Sequence, residues 1–322
     1  MTPEPALVVS TAPIPPEVFA GALDGTRVVS ATQENLAEAV PDAAVIIGDW
    51  SHQVKVRADI IAAATRCRLI QQPTAGYENI DVDAAARAGI PVANAGPANA
   101  VAVAEFAVMA TIAALRHLRE AVADAERPGW SQASWVQKDL RELSASTVGI
   151  VGLGAIGRAV AERLRAFGCQ VVYTKRARLE ASDEAALGVE HASLDDLLRR
   201  SDVLILTLPL TEASRGLIDR TRLELLPAGA TVVNVARGGV LDYAALADLL
   251  RDGRLGGAAL DVYPEEPPAN VDELRALPNT LLTPHIAGVT EQSKRNILLN
   301  SIANVRRVLA GEKPLWVVNG VG

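Results

Sequence analysis

The stretch TVGIVGLGAIGRAVAERLRAFG, residues 147–168, decides the fold. TVGIV reads as a buried strand, GLGAIG as a turn, and RAVAERLRAFG as a helix closed by a glycine. Gly152, Gly154 and Gly157 stand in G-x-G-x-x-G spacing between that strand and that helix. This context is the fingerprint of a dinucleotide site: the first glycine makes the tight turn, the second lets backbone approach a pyrophosphate, and the third lets helix and strand pack closely. The helix start at Ala155 and Ile156 offers N–H groups and the positive end of the helix dipole to phosphate.

The same turn predicts which residue reads the adenosine ribose. NAD-binding versions carry an Asp or Glu about 20 residues on, at the end of the second strand. Here that position falls in VVYTKRAR, residues 171–178, at Thr174, Lys175 and Arg176, with Arg178 just beyond. An acid is missing and three cations stand near its place. The segment therefore reads as a clamp for the 2′-phosphate of NADP(H), with Arg176 the leading contact and Thr174 a hydroxyl partner. NAD(H) stays open as an alternative cofactor.

Outward in both directions, short β-branched runs alternate with helical segments. ALVVS (6–10), RVVS (27–30), AAVIIG (43–48), RLIQQ (68–72) and PVAN (91–94) precede the glycine turn, and QVVYT, DVLILTLP, ATVVNVAR, LGGAALDVY and NTLLTPH follow it. That rhythm implies parallel βαβ units. Between the two series, residues 100–129 read as one helix of about seven turns, apolar around most of its circumference and therefore buried on several sides. Its His117 reads as structural.

A chain of 322 residues with 49% hydrophobic and 21% charged residues accommodates two globular domains. The N-terminus has neither a basic leader nor a long apolar run, and no stretch reaches about 18 apolar residues, so a cytoplasmic protein without a membrane partner is expected. Cys67 and Cys169 have no metal-finger or disulfide spacing, and no metal is expected. A net charge of −7 argues against nucleic acid as a partner.

Three strand ends carry chemistry. Arg237 follows TVVNVA, Glu265 and Glu266 follow LGGAALDVYP, and His285 follows NTLLTP. If these strands run parallel to the one before the glycine turn, all three ends share the carboxyl edge of one sheet, where open α/β sheets bind ligands. Reduction of a 2-oxo acid needs a carboxylate anchor, polarisation of the carbonyl and a proton. The planar fork of arginine suits the first two tasks. Histidine suits the third, and a carboxylate on its other nitrogen fixes the tautomer and favours the protonated form.

With these motifs in order, the chain resembles the D-isomer-specific 2-hydroxyacid dehydrogenases over nearly its whole length, through TAGYENID, AVAVAEF, GLGAIG, LPLT, NVARGGVLD, GGAALDVYPEEP and LTPHIAG. The resemblance implies two doubly wound parallel-sheet α/β domains, a Rossmann-type dinucleotide domain (99–287) inserted into a flavodoxin-like substrate domain (1–98 and 288–322), commonly in a homodimer. It implies Arg237, Glu266 and His285 as catalytic residues, the backbone of Ala75 and Gly76 together with Arg237 as substrate ligands, and Thr207, Leu208, Pro209, Ala236, Asp261 and His285 beside the cofactor.

Two departures narrow the expected substrate. The basic YTKR segment is similar to that of NADPH-preferring glyoxylate and hydroxypyruvate reductases. Residues 48–53, GDWSHQ, lack the arginines of phosphoglycerate-handling members. A small 2-oxo acid, reduced to the D-2-hydroxy acid with His285 as proton donor, is the expected substrate. An unusual 2-oxo or phosphonate-like acid of a specialised pathway, and a non-catalytic dinucleotide sensor, stand as alternatives.

Overall fold

The computed structural model describes residues 4–12, 19, 21–268 and 272–321, and the chain divides into two compact units. One comprises residues 1–99 and 290–322, the other residues 100–289. The crossings lie one and two residues beyond the boundaries read from the sequence.

The first unit holds a five-stranded sheet: β1 (Ala6–Ser10), β2 (Thr26–Ser30), β3 (Ala43–Ile47), β4 (Leu69–Gln71) and β5 (Val92–Ala93). All are parallel, in the order β2-β1-β3-β4-β5, the flavodoxin-like winding. One face packs under Leu36, Ile60, Ile61 and Ala85, from the helices Leu36–Ala39, Ala58–Ala63 and Val82–Arg87. The other packs under Ile302, Val305 and Val308 of the helix Glu291–Leu309. Burial of both faces explains why these strands are apolar runs without alternation.

The second unit holds seven parallel strands: β6 (Thr147–Val151), β7 (Gln170–Thr174), β8 (Val189–His191), β9 (Val203–Leu206), β10 (Thr231–Asn234), β11 (Gly257–Leu260) and β12 (Thr280–Leu282). Their order, β12-β11-β10-β9-β6-β7-β8, is the Rossmann winding, reversing direction between β6 and β9. Core residues such as Val148, Ile150, Leu204 and Val232 are wholly buried, each contributing about 1.5–3 kcal/mol by leaving water.

The long helix expected over 100–129 is instead two helices, Ala100–Leu115 and Leu118–Ala125, bent by 64°. His117 breaks it by adopting left-handed backbone, φ 50°. Tertiary bonds hold the second helix in place: the Arg119 guanidinium donates to the carbonyls of Arg275, Leu277 and Thr280 and to the Thr280 hydroxyl. The first helix is buried around most of its circumference, as its composition requires. Among the described residues, no single helix is long and apolar enough to cross a membrane.

Candidate active site

The glycine turn is built as its spacing demands. Gly152 has φ 96°, and a side chain there would lie 2.8 Å from the backbone of Leu208. A Cβ on Gly157 would run into the carbonyl oxygen of Gly152, so only glycine lets the helix Ala155–Phe167 start against the strand. Gly154 faces open space, leaving its backbone approachable. Thr207 donates to the Gly152 carbonyl, so Thr207, Leu208 and Pro209 follow β9 directly beside the turn. Ala155, exposed, and Ile156, half-buried, form the first turn of the helix, whose leading N–H groups have no intrahelical acceptor. Narrow turn, open second glycine and free helix end together fit a pyrophosphate.

At the end of β7 the three cations divide into two kinds. Arg178 makes a bidentate pair with Glu184, Nε to Oε1 at 2.9 Å and Nη2 to Oε2 at 2.8 Å. The buried Tyr173 hydroxyl donates to the same carboxylate at 2.7 Å and accepts the Leu179 N–H at 2.9 Å. Arg178 and Tyr173 hold the Glu184 carboxyl far down, at about 2. Lys175 and Arg176 form no side-chain hydrogen bond or ion pair among the described residues, and Arg176 is exposed. Arg178, grouped with them in the sequence, has its guanidinium committed to Glu184, whereas the Lys175 ammonium and the Arg176 guanidinium have no such partner among the described residues.

Arg237, Glu266 and His285 leave three neighbouring parallel strands, β10, β11 and β12, at one carboxyl edge. Asn234, wholly buried, shapes the first exit by donating to the Arg237 carbonyl at 3.1 Å and accepting the Ala236 N–H at 3.0 Å. Gly238 lets this loop touch the backbone at Tyr263 and Pro264, where a Cβ would overlap the Tyr263 carbonyl. The Arg237 and Glu266 loops are therefore in direct contact.

Glu266 accepts the Tyr263 N–H at 2.9 Å through Oε1 and meets His285 Nδ1 at 2.6 Å through Oε2. Burial opposes ionisation of this carboxyl, but the His285 hydrogen bond, the Tyr263 N–H and the nearby His285 and Arg237 charges outweigh it and hold Glu266 below the usual carboxylate range. It is thus a carboxylate at neutral pH. Glu265, the other acid of the pair, is exposed. With Nδ1–H given to Glu266, His285 Nε2 is the nitrogen left to exchange a proton with a ligand.

Asp261, almost fully buried, organises the His285 loop. Its carboxylate accepts the Thr283 hydroxyl at 2.6 Å and the N–H groups of Ile286 and Ala287 at 2.8 Å each. These bonds bracket His285, whose φ of 54° is left-handed and uncommon for a side-chain-bearing residue. The sequence alone marks Asp261 only through resemblance, as a cofactor neighbour; its bracing of His285 is visible only in the fold.

In the first unit, Ala75 and Gly76 lie in a turn that follows β4. Four successive carbonyls are tied back: Thr74 to the Ala95 N–H, Ala75 to Asn94 Nδ2 at 2.9 Å, Gly76 to the Thr74 hydroxyl at 2.7 Å, and Tyr77 to the Ile80 N–H. The N–H groups of Ala75, Gly76 and Tyr77 donate to no acceptor among the described residues. Successive N–H groups without an acceptor, beside occupied carbonyls, meet the hydrogen-bond requirement of an anion site. Among the described residues, no cluster of His, Cys, Asp and Glu could hold a metal. Burial raises the Cys67 thiol to about 11, far from a reactive thiolate.

Residues 108–287 match the model for the NAD binding domain of D-isomer specific 2-hydroxyacid dehydrogenases. The chain is 38% identical over 272 residues to a glyoxylate reductase of Aeropyrum pernix, covering 82% of this chain and 80% of that one. It superposes on the crystal structure of a glyoxylate reductase from Paecilomyes thermophila with a TM-score of 0.89 at 29% identity, covering 97% and 98% of the two chains. A D-lactate dehydrogenase from Aquifex aeolicus, solved with NAD and lactic acid, superposes with a TM-score of 0.83 at 25% identity, covering 95% and 96%.

Proposed function

Because this chain belongs to the D-isomer specific 2-hydroxyacid dehydrogenase family and is a nicotinamide-dinucleotide-dependent oxidoreductase acting on 2-oxo acids, we propose that its substrate is a small acid of the glyoxylate or hydroxypyruvate kind, reduced to the D-2-hydroxy acid. We further propose NADPH as the preferred cofactor and His285 as the proton donor. The observation that carries the reading is the 2.6 Å contact between His285 Nδ1 and Glu266 on the sheet edge that also bears Arg237.

Residues of this chain divide the work. Arg237 anchors the substrate and its fork polarises the carbonyl, and the backbone turn at Ala75 and Gly76 is the carboxylate-binding element of the first unit. Glu266 holds Nδ1–H of His285, so Nε2 delivers the proton to the developing alkoxide. Gly152, Gly154, Ala155, Ile156 and Gly157 bind the pyrophosphate, with Thr207, Leu208, Pro209, Ala236 and Asp261 lining the rest of the cofactor site. When bound, the reduced nicotinamide supplies the hydride. Lys175 and Arg176 take the 2′-phosphate with Thr174. A charge-assisted hydrogen bond contributes about 1.5–3 kcal/mol, so one or two favour NADPH by about tenfold to a few hundredfold.

The exposed apolar side chains of Val101, Met109, Leu118, Val122 and Phe167 on and beside the helices of residues 100–125 support a homodimer, which we place in the cytoplasm. A panel of glyoxylate, hydroxypyruvate, pyruvate and bulkier 2-oxo acids, each with NADPH and NADH, tests the reading. The highest kcat/KM is expected for a small acid with NADPH. A higher value with NADH overturns the cofactor assignment, a bulky acid in first place overturns the substrate class, and tight cofactor binding without turnover overturns the enzymatic reading.

A further inference from the structure

His52, beyond the end of β3, reaches the turn that carries Ala75 and Gly76. The loop that bears it is wound around Asp49, whose buried carboxylate accepts the Ser51 N–H at 2.9 Å, the Ser51 hydroxyl at 2.6 Å, the Gln53 N–H at 2.8 Å and the Val54 N–H at 3.1 Å. Within it His52 adopts φ 59°, and Lys55 Nζ holds its carbonyl at 2.6 Å. So placed, its Nε2 lies 3.1 Å from the Thr74 hydroxyl, and its Nδ1 lies 3.4 Å from the Glu78 carboxylate.

Hydrogen-bond accounting fixes the direction of the first contact. The Thr74 hydroxyl has one proton, and it lies on the Gly76 carbonyl at 2.7 Å. Gln72 Nε2, oriented by its bond to the Asp49 carbonyl at 3.0 Å, donates to the same hydroxyl at 2.8 Å. Thr74 therefore has only an acceptor position left, and His52 Nε2 must be a donor. Two donors hold the hydroxyl, and the hydroxyl holds the Gly76 carbonyl. Because a trans peptide carries its carbonyl and the following N–H on opposite sides, this bond turns the Tyr77 N–H away from Thr74.

We propose that His52 is a positioning residue for the anion site of residues 75–77: through Thr74 it aims the Tyr77 N–H at the carboxylate of a 2-oxo acid. The inference rests on the reading that this site takes the substrate carboxylate. His52 transfers no proton and touches no reacting atom. Its effect is on carboxylate affinity.

The test uses the whole chain with glyoxylate as substrate and oxalate as a non-reacting probe. His52→Leu removes the donor, and His52→Gln keeps an N–H near the position of Nε2. His52→Leu is expected to raise KM by about three- to tenfold, the size of one ordinary hydrogen bond, with the loss in KM and not kcat. His52→Gln should recover most of it. Thr74→Val, which removes the shared hydroxyl, should produce the same loss, and the double variant should be no worse than Thr74→Val alone.

Hydrogen exchange of the segment around Tyr77 supplies a readout independent of turnover: oxalate should protect the wild type and the Gln variant but not the Leu variant. Equal protection of all three, an unchanged KM in His52→Leu, or multiplicative losses overturn the role of His52 while leaving residues 75–77 as carboxylate site. A wild type that oxalate does not protect overturns both. Should His52→Leu fail to fold, Thr74→Val carries the test, and full KM and protection there overturn the inference.

Discussion

The two carboxyl edges of this protein are built from the same kind of sheet and present opposite kinds of chemistry. The edge of β10, β11 and β12 offers charged side chains, Arg237, Glu266 and His285, each projecting from a strand end. The turn beyond β4 offers backbone, with four carbonyls tied inward and the N–H groups of residues 75–77 available to a ligand. Parallel winding guarantees only that loops gather at an edge. Whether an edge reacts or merely holds depends on whether strand-end side chains or loop peptides face the ligand.

The comparison breaks first at its reactive side. His285→Ala should lower reduction by about a hundred- to ten-thousandfold while cofactor affinity, measured by fluorescence titration, stays unchanged. A small drop would make the two edges equivalent. Arg237→Gln should lower kcat/KM for a 2-oxo acid by about a hundredfold, since charge-assisted bonds to the carboxylate and carbonyl are both lost. Next in size, Arg176→Ala should narrow the NADPH-over-NADH ratio of kcat/KM by about tenfold, and Arg178→Ala, whose side chain is already paired with Glu184, should narrow it much less.

Smaller effects sharpen the backbone side. Asn94→Leu removes the donor on the Ala75 carbonyl and should raise KM by about three- to tenfold with kcat little changed, because a holding group acts on affinity. Glu184 has the smallest expected consequence, on stability alone. Its carboxyl falls from 4.5 to about 2 on folding, so its contribution is complete above pH 4.5 and disappears as pH falls toward 2. The difference in Tm between wild type and Glu184→Gln should thus be largest near neutrality and vanish at the acid end. A difference that grows on acidification would contradict the Arg178–Glu184 pairing.

The contrast between the edges also explains what was legible in the residues. Strands buried on both faces announce themselves as β-branched runs, and the glycine spacing 152, 154, 157 carries its own geometry. Side-chain chemistry at strand ends is readable too, because Arg237, Glu266 and His285 are letters with defined reactivity. Backbone chemistry is not: nothing in PTAGYEN states that its carbonyls are satisfied internally, and only the resemblance points to Ala75 and Gly76. Partnerships set by tertiary structure are equally silent. Arg178 differs from Arg176 only in having Glu184 within reach. The break at His117 depends on Arg119 reaching carbonyls more than 150 residues away.

Insertion of one unit into the other has a consequence for folding. The unit of residues 100–289 is contiguous, whereas the other one needs the helix Glu291–Leu309 against its sheet, with Asn304 bonded to Gln71 and Arg68 to the Val308 carbonyl. Beyond that helix, Asn319 accepts the Val92 N–H, and Val317 bridges Ala93. The middle segment therefore draws its whole core from contiguous chain, whereas the segment before it needs residues from 290 onward. A free chain truncated after residue 289 would hold one complete nucleotide-binding unit and one exposed half-sheet, and that half-sheet is where a chaperone would be needed.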